Sequence, residues 1–136
     1  MIKTFVFLTF LLLNQFVFSQ KAYTPEKGSN ERTEILNIFR EDFEEKSSIL
    51  FRIEHLLVKN NWACALVLPL KDGQEYGEPR WGLLKKSNGK WSQLNWSDGI
   101  EINDDFELID LPIQNSRIAR LIVEKYPSCP MDIFGN

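Results

Sequence analysis

The chain has 136 residues, 43% of them hydrophobic, with 16 Lys and Arg against 19 Asp and Glu for a formal charge of −3. That length suits one ordinary domain, and the mixed, mildly acidic charge excludes the clustered basic field that nucleic acid or anionic lipid requires. A single His and two far-spaced Cys exclude a zinc site of the usual local spacing.

Residues 1–19 read as a cleavable signal peptide. Lys3 gives a positive start, Phe5 to Leu13 form an apolar run broken by Thr9, and Val17 and Ser19 are the small residues of a cleavage site, leaving Gln20 as the new N-terminus. Asn14 and Gln15 interrupt the run short of the about 20 apolar residues a membrane span needs. No later segment is long and apolar enough for an integral membrane span, so a periplasmic or secreted location is expected.

Residues 20–30, with Pro25, Gly28, Ser29 and Asn30, predict a flexible mature N-terminus ahead of one domain over residues 31–136. Ser29 or Asn30 caps a helix running to about Lys46, with Ile35, Ile38, Phe39 and Phe43 on one apolar stripe. From Ile49 to Lys59 the pattern alternates, placing Phe51, Ile53, His55 and Leu57 on one face. Asn60-Asn61 then predicts a tight hairpin. The strand Trp62 to Pro69 is apolar on both faces, as a central strand is. Lys71 to Pro79 is a polar loop, and two further strands flank Asn88-Gly89, the strongest turn signal of the chain.

Beyond Asp98-Gly99, Ile100 and Ile102 suit a short edge strand, and Asp104 to Ile109 a helical turn or another strand. Asn115 or Ser116 caps a last helix over about Arg117 to Lys125, which Pro127 ends. The tail, with Ile133 and Phe134, is expected to dock on the domain. The fold class is therefore α+β: a long N-terminal helix on a curved antiparallel sheet of about four strands, with a short C-terminal helix.

The segments ILNIFREDFEEK, FRIEHLLVKN, WACALVLPL and LLKKSNGKW, the ending YPSCPMDIF and the Ser19–Gln20 junction together resemble small exported proteins of Bacteroidetes type in the NTF2-like or cystatin-like α+β superfamily. The resemblance implies a curved sheet whose concave face can enclose a cavity. It carries no agreed functional residues onto this chain.

Four constellations carry candidate chemistry. His55 could serve proton transfer in such a cavity, but Glu54 points to the opposite face and a sequence-distant carboxylate would be needed; the plainer reading is a histidine bonded to backbone. Cys64 and Cys129 suit one disulfide in an oxidising compartment, about 4 kcal/mol for so long a loop, or Cys64 is a small buried apolar residue. Asp98, Glu101, Asp104 and Asp105, with Asn95 and Asn103, form an acidic cluster whose spacing misses the helix–loop–helix calcium pattern, so no metal is assigned. Tyr76, Trp81, Trp91 and Trp96 concentrate aromatic area around one hairpin, with Trp81 and Trp91 placed to face each other. They suit stacking on sugar or gripping a protein, or they are the core under the helix.

No nucleophile elbow, phosphate loop or nucleotide fingerprint is present, and no cofactor is expected. The leading reading is an exported, non-enzymatic binding module for a protein or a small or glycan ligand. The alternatives are a small cavity enzyme using His55, and an inhibitor or immunity-type protein acting through the Lys71–Pro79 loop.

Overall fold

Three residue pairs set the strand connections. Asn60-Asn61 (φ 50° and 65°), Asp72-Gly73 (φ 52° and 75°) and Asn88-Gly89 (φ 53° and 75°) all hold left-handed backbone, the conformation of two-residue hairpin turns whose twist matches that of the strands. They join β1 (Ile49–Lys59) to β2 (Trp62–Lys71), β2 to the two-residue β3 (Gln74–Glu75), and β4 (Arg80–Ser87) to β5 (Lys90–Leu94). The result is a five-stranded antiparallel sheet ordered β1-β2-β4-β5, with β3 paired to the end of β2. The structure, a computed structural model, describes residues 20–99 and 116–135. The expected signal segment, the expected elements between Ile100 and Ile109, and three of the four acids of the acidic cluster (Glu101, Asp104 and Asp105) lie outside these residues.

Two helices, α1 (Asn30–Arg40) and α2 (Ser116–Lys125), cover opposite faces of this sheet. In β2 the side chains of Ala63, Ala65 and Val67 join a core with Ile35 and Phe39 of α1, whereas Trp62 and Cys64 join a second core with Ile118, Ala119 and Ile122 of α2. Apolar residues on both faces of β2 are thus each used. The first core has a floor of small residues: Ala65 pairs with Gly82, and a Cβ on Gly82 would lie 3.1 Å from Cζ of Phe39. The missing side chain lets the ring settle on the backbone.

The first helix is shorter than its apolar stripe predicts. Ser29 caps it, accepting from the Arg32 N–H, but it ends at Arg40. The next residues, Glu41, Asp42, Glu44 and Glu45, would put carboxylates at the negative end of the helix dipole. Contacts across the sheet hold the chain elsewhere: Asp42 accepts from Arg80 at 3.0 Å, and the Arg80 guanidinium lies 4.1 Å from the centre of the Phe43 ring. Phe43 is therefore a half-buried residue beyond the helix and not a further knob on its stripe.

Tyr23 and Thr24 tie the segment ahead of α1 to the sheet. Tyr23 exchanges two backbone hydrogen bonds with Val58, 3.0 and 2.8 Å, the Thr24 hydroxyl donates to the Leu56 carbonyl, and the Tyr23 phenol donates to Glu31 at 2.7 Å. At the other terminus a short helical turn, Met131–Phe134, buries Ile133 and Phe134 in the second core, as the apolar tail predicts. Among the described residues no helix is long and apolar enough to cross a membrane.

The two cysteines are not bonded to each other. Cys64 and Cys129 are free, buried thiols in the second core. Compartment and even number motivated a disulfide; here both behave as small apolar side chains among Trp62, Leu83 and Phe134. Burial pushes the Cys129 thiol up to about 12. It raises Cys64 further, with the neighbouring Cys129 adding to the shift.

Candidate functional site

His55 is placed by a break in β1. The pairing register shifts between Ile53, opposite Val67, and His55, opposite Leu66, so Glu54 is an extra residue in the strand. Such a bulge reverses the facing of everything after it. Phe51 and Ile53 pack on the first core, and so do Leu56 and Val58, while Leu57 packs on the second. His55 therefore leaves the face of Phe51 and Ile53 and meets the C-terminal turn. Its Nε2 lies 2.7 Å from the Ile133 carbonyl oxygen. A carbonyl can only accept, so Nε2 carries the proton and donates. Nearby, the Lys59 ammonium bonds Asp132 at 2.7 Å, and that hydrogen bond draws the Asp132 carboxyl below its usual range. His55 and Lys59 together fasten the last turn to β1.

The aromatic residues separate. Trp91 opposes Lys86 and is 5% exposed in the first core. Trp81 opposes Leu66 of β2, packs on the second core, and meets Trp96 at a tilt with ring centres 5.2 Å apart. Trp81 and Trp91 do not face each other; they lie on opposite faces of the sheet. The Trp96 carbonyl accepts from Lys125, whose ammonium also meets the Asp98 carbonyl, so this end of the hairpin is fixed to α2.

Tyr76 stands apart from the tryptophans. Its ring is 47% exposed, and its backbone N–H donates to the Pro69 carbonyl at 2.9 Å. It forms one wall of a cleft of about 220 Å³ shared with Phe43, Ile49, Lys71 and the acids Asp42 to Glu45. The Phe43 ring centre is 6.1 Å from Tyr76 and 6.3 Å from Phe51, which meets Phe39 edge-on at 6.3 Å. An aromatic chain thus runs from the core to the surface.

Cations line this chain. Arg40 lies 5.1 Å from the Phe51 ring centre, Arg80 lies over Phe43, and Lys71 lies 5.2 Å from the Tyr76 ring centre. Lys71 also bonds Glu45 at 2.8 Å. That bond holds the Glu45 carboxyl low and the Lys71 ammonium high, so both stay charged through the neutral range. The cleft offers an exposed phenol, apolar ring area and fixed charges of both signs, which is equipment for recognition.

Sequence reading found Tyr76 but missed Phe43, Phe51, Arg40 and Arg80 as its companions. Phe43 was visible as an aromatic among acids, a poor helix end; the rest depends on the sheet bringing β1 and β4 beside the end of α1. Among the described residues no three His, Cys, Asp or Glu side chains group as metal ligands. No family model matches the chain, no curated protein matches it, and no solved structure matches its fold.

Proposed function

We propose that this is an exported, non-enzymatic interaction module of the periplasm or cell exterior that grips a protein partner through the Tyr76 cleft. The observation that carries the reading is the 47% exposed Tyr76 ring at the end of a packed aromatic chain flanked by Arg and Lys. Tyr and Arg anchors backed by rigid packing are the residues that concentrate binding energy in protein interfaces. The charge, apolar and small-residue order of residues 1–19 supports export. His55 is engaged with the Ile133 carbonyl, which supports a fastening role over proton transfer. The inhibitor or immunity reading uses the same surface, because residues 72–79 are exposed throughout and carry Tyr76.

The test replaces Tyr76 with a photoreactive phenylalanine analogue in the producing cell. A discrete cross-linked adduct is expected, lost when Arg80 is also changed to Ala, and Tyr76→Ala should reproduce the phenotype of deletion with an unaltered melting curve. If a folded His55→Ala variant is as damaging as deletion and Tyr76→Ala is silent, the enzyme reading takes first place. Intact mass of the protein from the envelope fraction should begin at Gln20; a full-length cytosolic product defeats the export part.

A further inference from the structure

The cations near Tyr76 are already engaged within the chain. Arg80 bonds Asp42, Lys71 bonds Glu45, Lys46 bonds Glu41, and Arg52 reaches Glu75 at 3.6 Å. The half-buried Arg40 is directed at the Ile49 carbonyl and the Phe51 ring. Three acids remain. Glu44 lines the Tyr76 cleft. Asp72 opens the loop that carries Tyr76 and adds to the field that keeps Lys71 protonated. Glu78 lies just beyond Tyr76 in the same loop. All three are exposed, and none has an ion pair among the described residues.

The uncompensated carboxylates set the sign of the partner. Closely paired ions at a wet surface nearly cancel at a distance, so an approaching molecule meets the field of the unpaired groups. An anionic segment would be repelled by Glu44, Asp72 and Glu78, and a neutral one would gain nothing from them. A cationic segment is attracted by all three. Its guanidinium groups or lysine stems can also lie against the exposed Tyr76 ring. Exposed ion pairs are individually weak, so the charges select the partner and speed its encounter while the aromatic anchor supplies the contact area.

We propose that the partner segment seated at Tyr76 is basic, with Lys or Arg side chains that meet Glu44, Asp72 and Glu78. This rests on the Tyr76 cleft being a protein-binding surface and adds the chemistry of what it binds.

The photoreactive residue at position 76 supplies the test. The cross-linked partner peptide is sequenced by mass spectrometry. Adduct yield is compared in envelope extract at about 0.1 M and about 1 M NaCl, where the screening length falls from about 10 to about 3 Å. It is compared again in a triple variant, Glu44→Gln, Asp72→Asn and Glu78→Gln. Asn suits the left-handed backbone that Asp72 holds at φ 52°, and the other two sites are exposed, so melting should be unchanged. The peptide should carry more Lys and Arg than Asp and Glu, and high salt and the triple variant should each cut the yield about tenfold. Should the triple variant melt lower, Glu44→Gln alone is read, with a loss of about twofold. An adduct on a neutral or acidic peptide, or a yield that the folded variant does not lower, overturns the basic partner and leaves the protein-binding cleft standing. No peptide adduct at all overturns the cleft as a protein-binding surface, and the basic partner with it.

Discussion

Replacing Phe39 with Ala tests the packing on which the Tyr76 cleft depends. The ring is 3% exposed and sits over the paired Ala65 and Gly82. Phe→Ala in a core costs about 3–5 kcal/mol, the spread reflecting how far the surroundings collapse. Here the floor is sheet backbone bearing the smallest side chains, which cannot swing in, so the cost should lie in the upper half of that range. Loss of the edge contact with Phe51 adds to it. Against a total stability of about 5–15 kcal/mol this is a large fraction, equivalent to a fall in Tm on the order of 10–30 °C. Urea unfolding followed by tryptophan fluorescence should show a lower midpoint with unchanged slope.

Two controls sharpen the test. Phe43, beyond the helix and half-buried, should cost about 1 kcal/mol on truncation to Ala. Gly82→Ala in the parent puts a Cβ 3.1 Å from Phe39 Cζ and 3.0 Å from Gln93 Nε2, and should destabilise. In the Phe39→Ala background the same methyl enters vacated space, so the two changes should couple by about 0.5–3 kcal/mol. Equal costs for Phe39→Ala and Phe43→Ala, or strict additivity with Gly82→Ala, would show that α1 does not rest on this floor.

Three further outcomes follow from the second face. The Cys64 and Cys129 thiols, buried and with ionisation raised, should resist iodoacetamide in the native protein and both react on unfolding without reductant, because the thiolate is the nucleophile; rapid native labelling would contradict their burial. His55→Ala should lower stability by about 1–2 kcal/mol by leaving the buried Ile133 carbonyl without its donor, measured by the same urea midpoint; a neutral result would remove the fastening role. The Asp132 carboxyl is depressed in the folded protein by Lys59, so its contribution is fully present above the ordinary carboxylate pKa and is lost as pH falls through the lower folded value. Asp132→Asn should therefore flatten the acid limb of the stability profile below about pH 4, and an unchanged limb would show the pair to be silent.

What the sequence made legible was chemistry local to a few residues. Asn-Asn and Asn-Gly announce hairpins because those residues tolerate left-handed backbone, and Trp62 to Pro69 announces a central strand because it is apolar at every position. The helix end was not legible, since no Gly or Pro marks it; a guanidinium arriving from β4, some forty residues later, draws Asp42 and Phe43 out of the helical path. Nor was the face of His55, because FRIEHLLVK reads as continuous alternation from Phe51 through Leu57. One signal could have exposed the bulge: the apolar residues of the first core change from odd positions, Phe51 and Ile53, to even ones, Leu56 and Val58, and a strand can change phase only by inserting a residue. The same reasoning explains the tryptophans. Closeness in sequence suggests one aromatic surface, but register sends Trp91 to one face and Trp81 to the other, where the Trp96 ring meets it at a tilt. Tyr76, in a loop with no alternation to obey, is the aromatic of that group left half in solvent. The candidate site therefore lies where strand pairing stops dictating side-chain direction, and its partners come from α1's end and from β1, β2 and β4 at once.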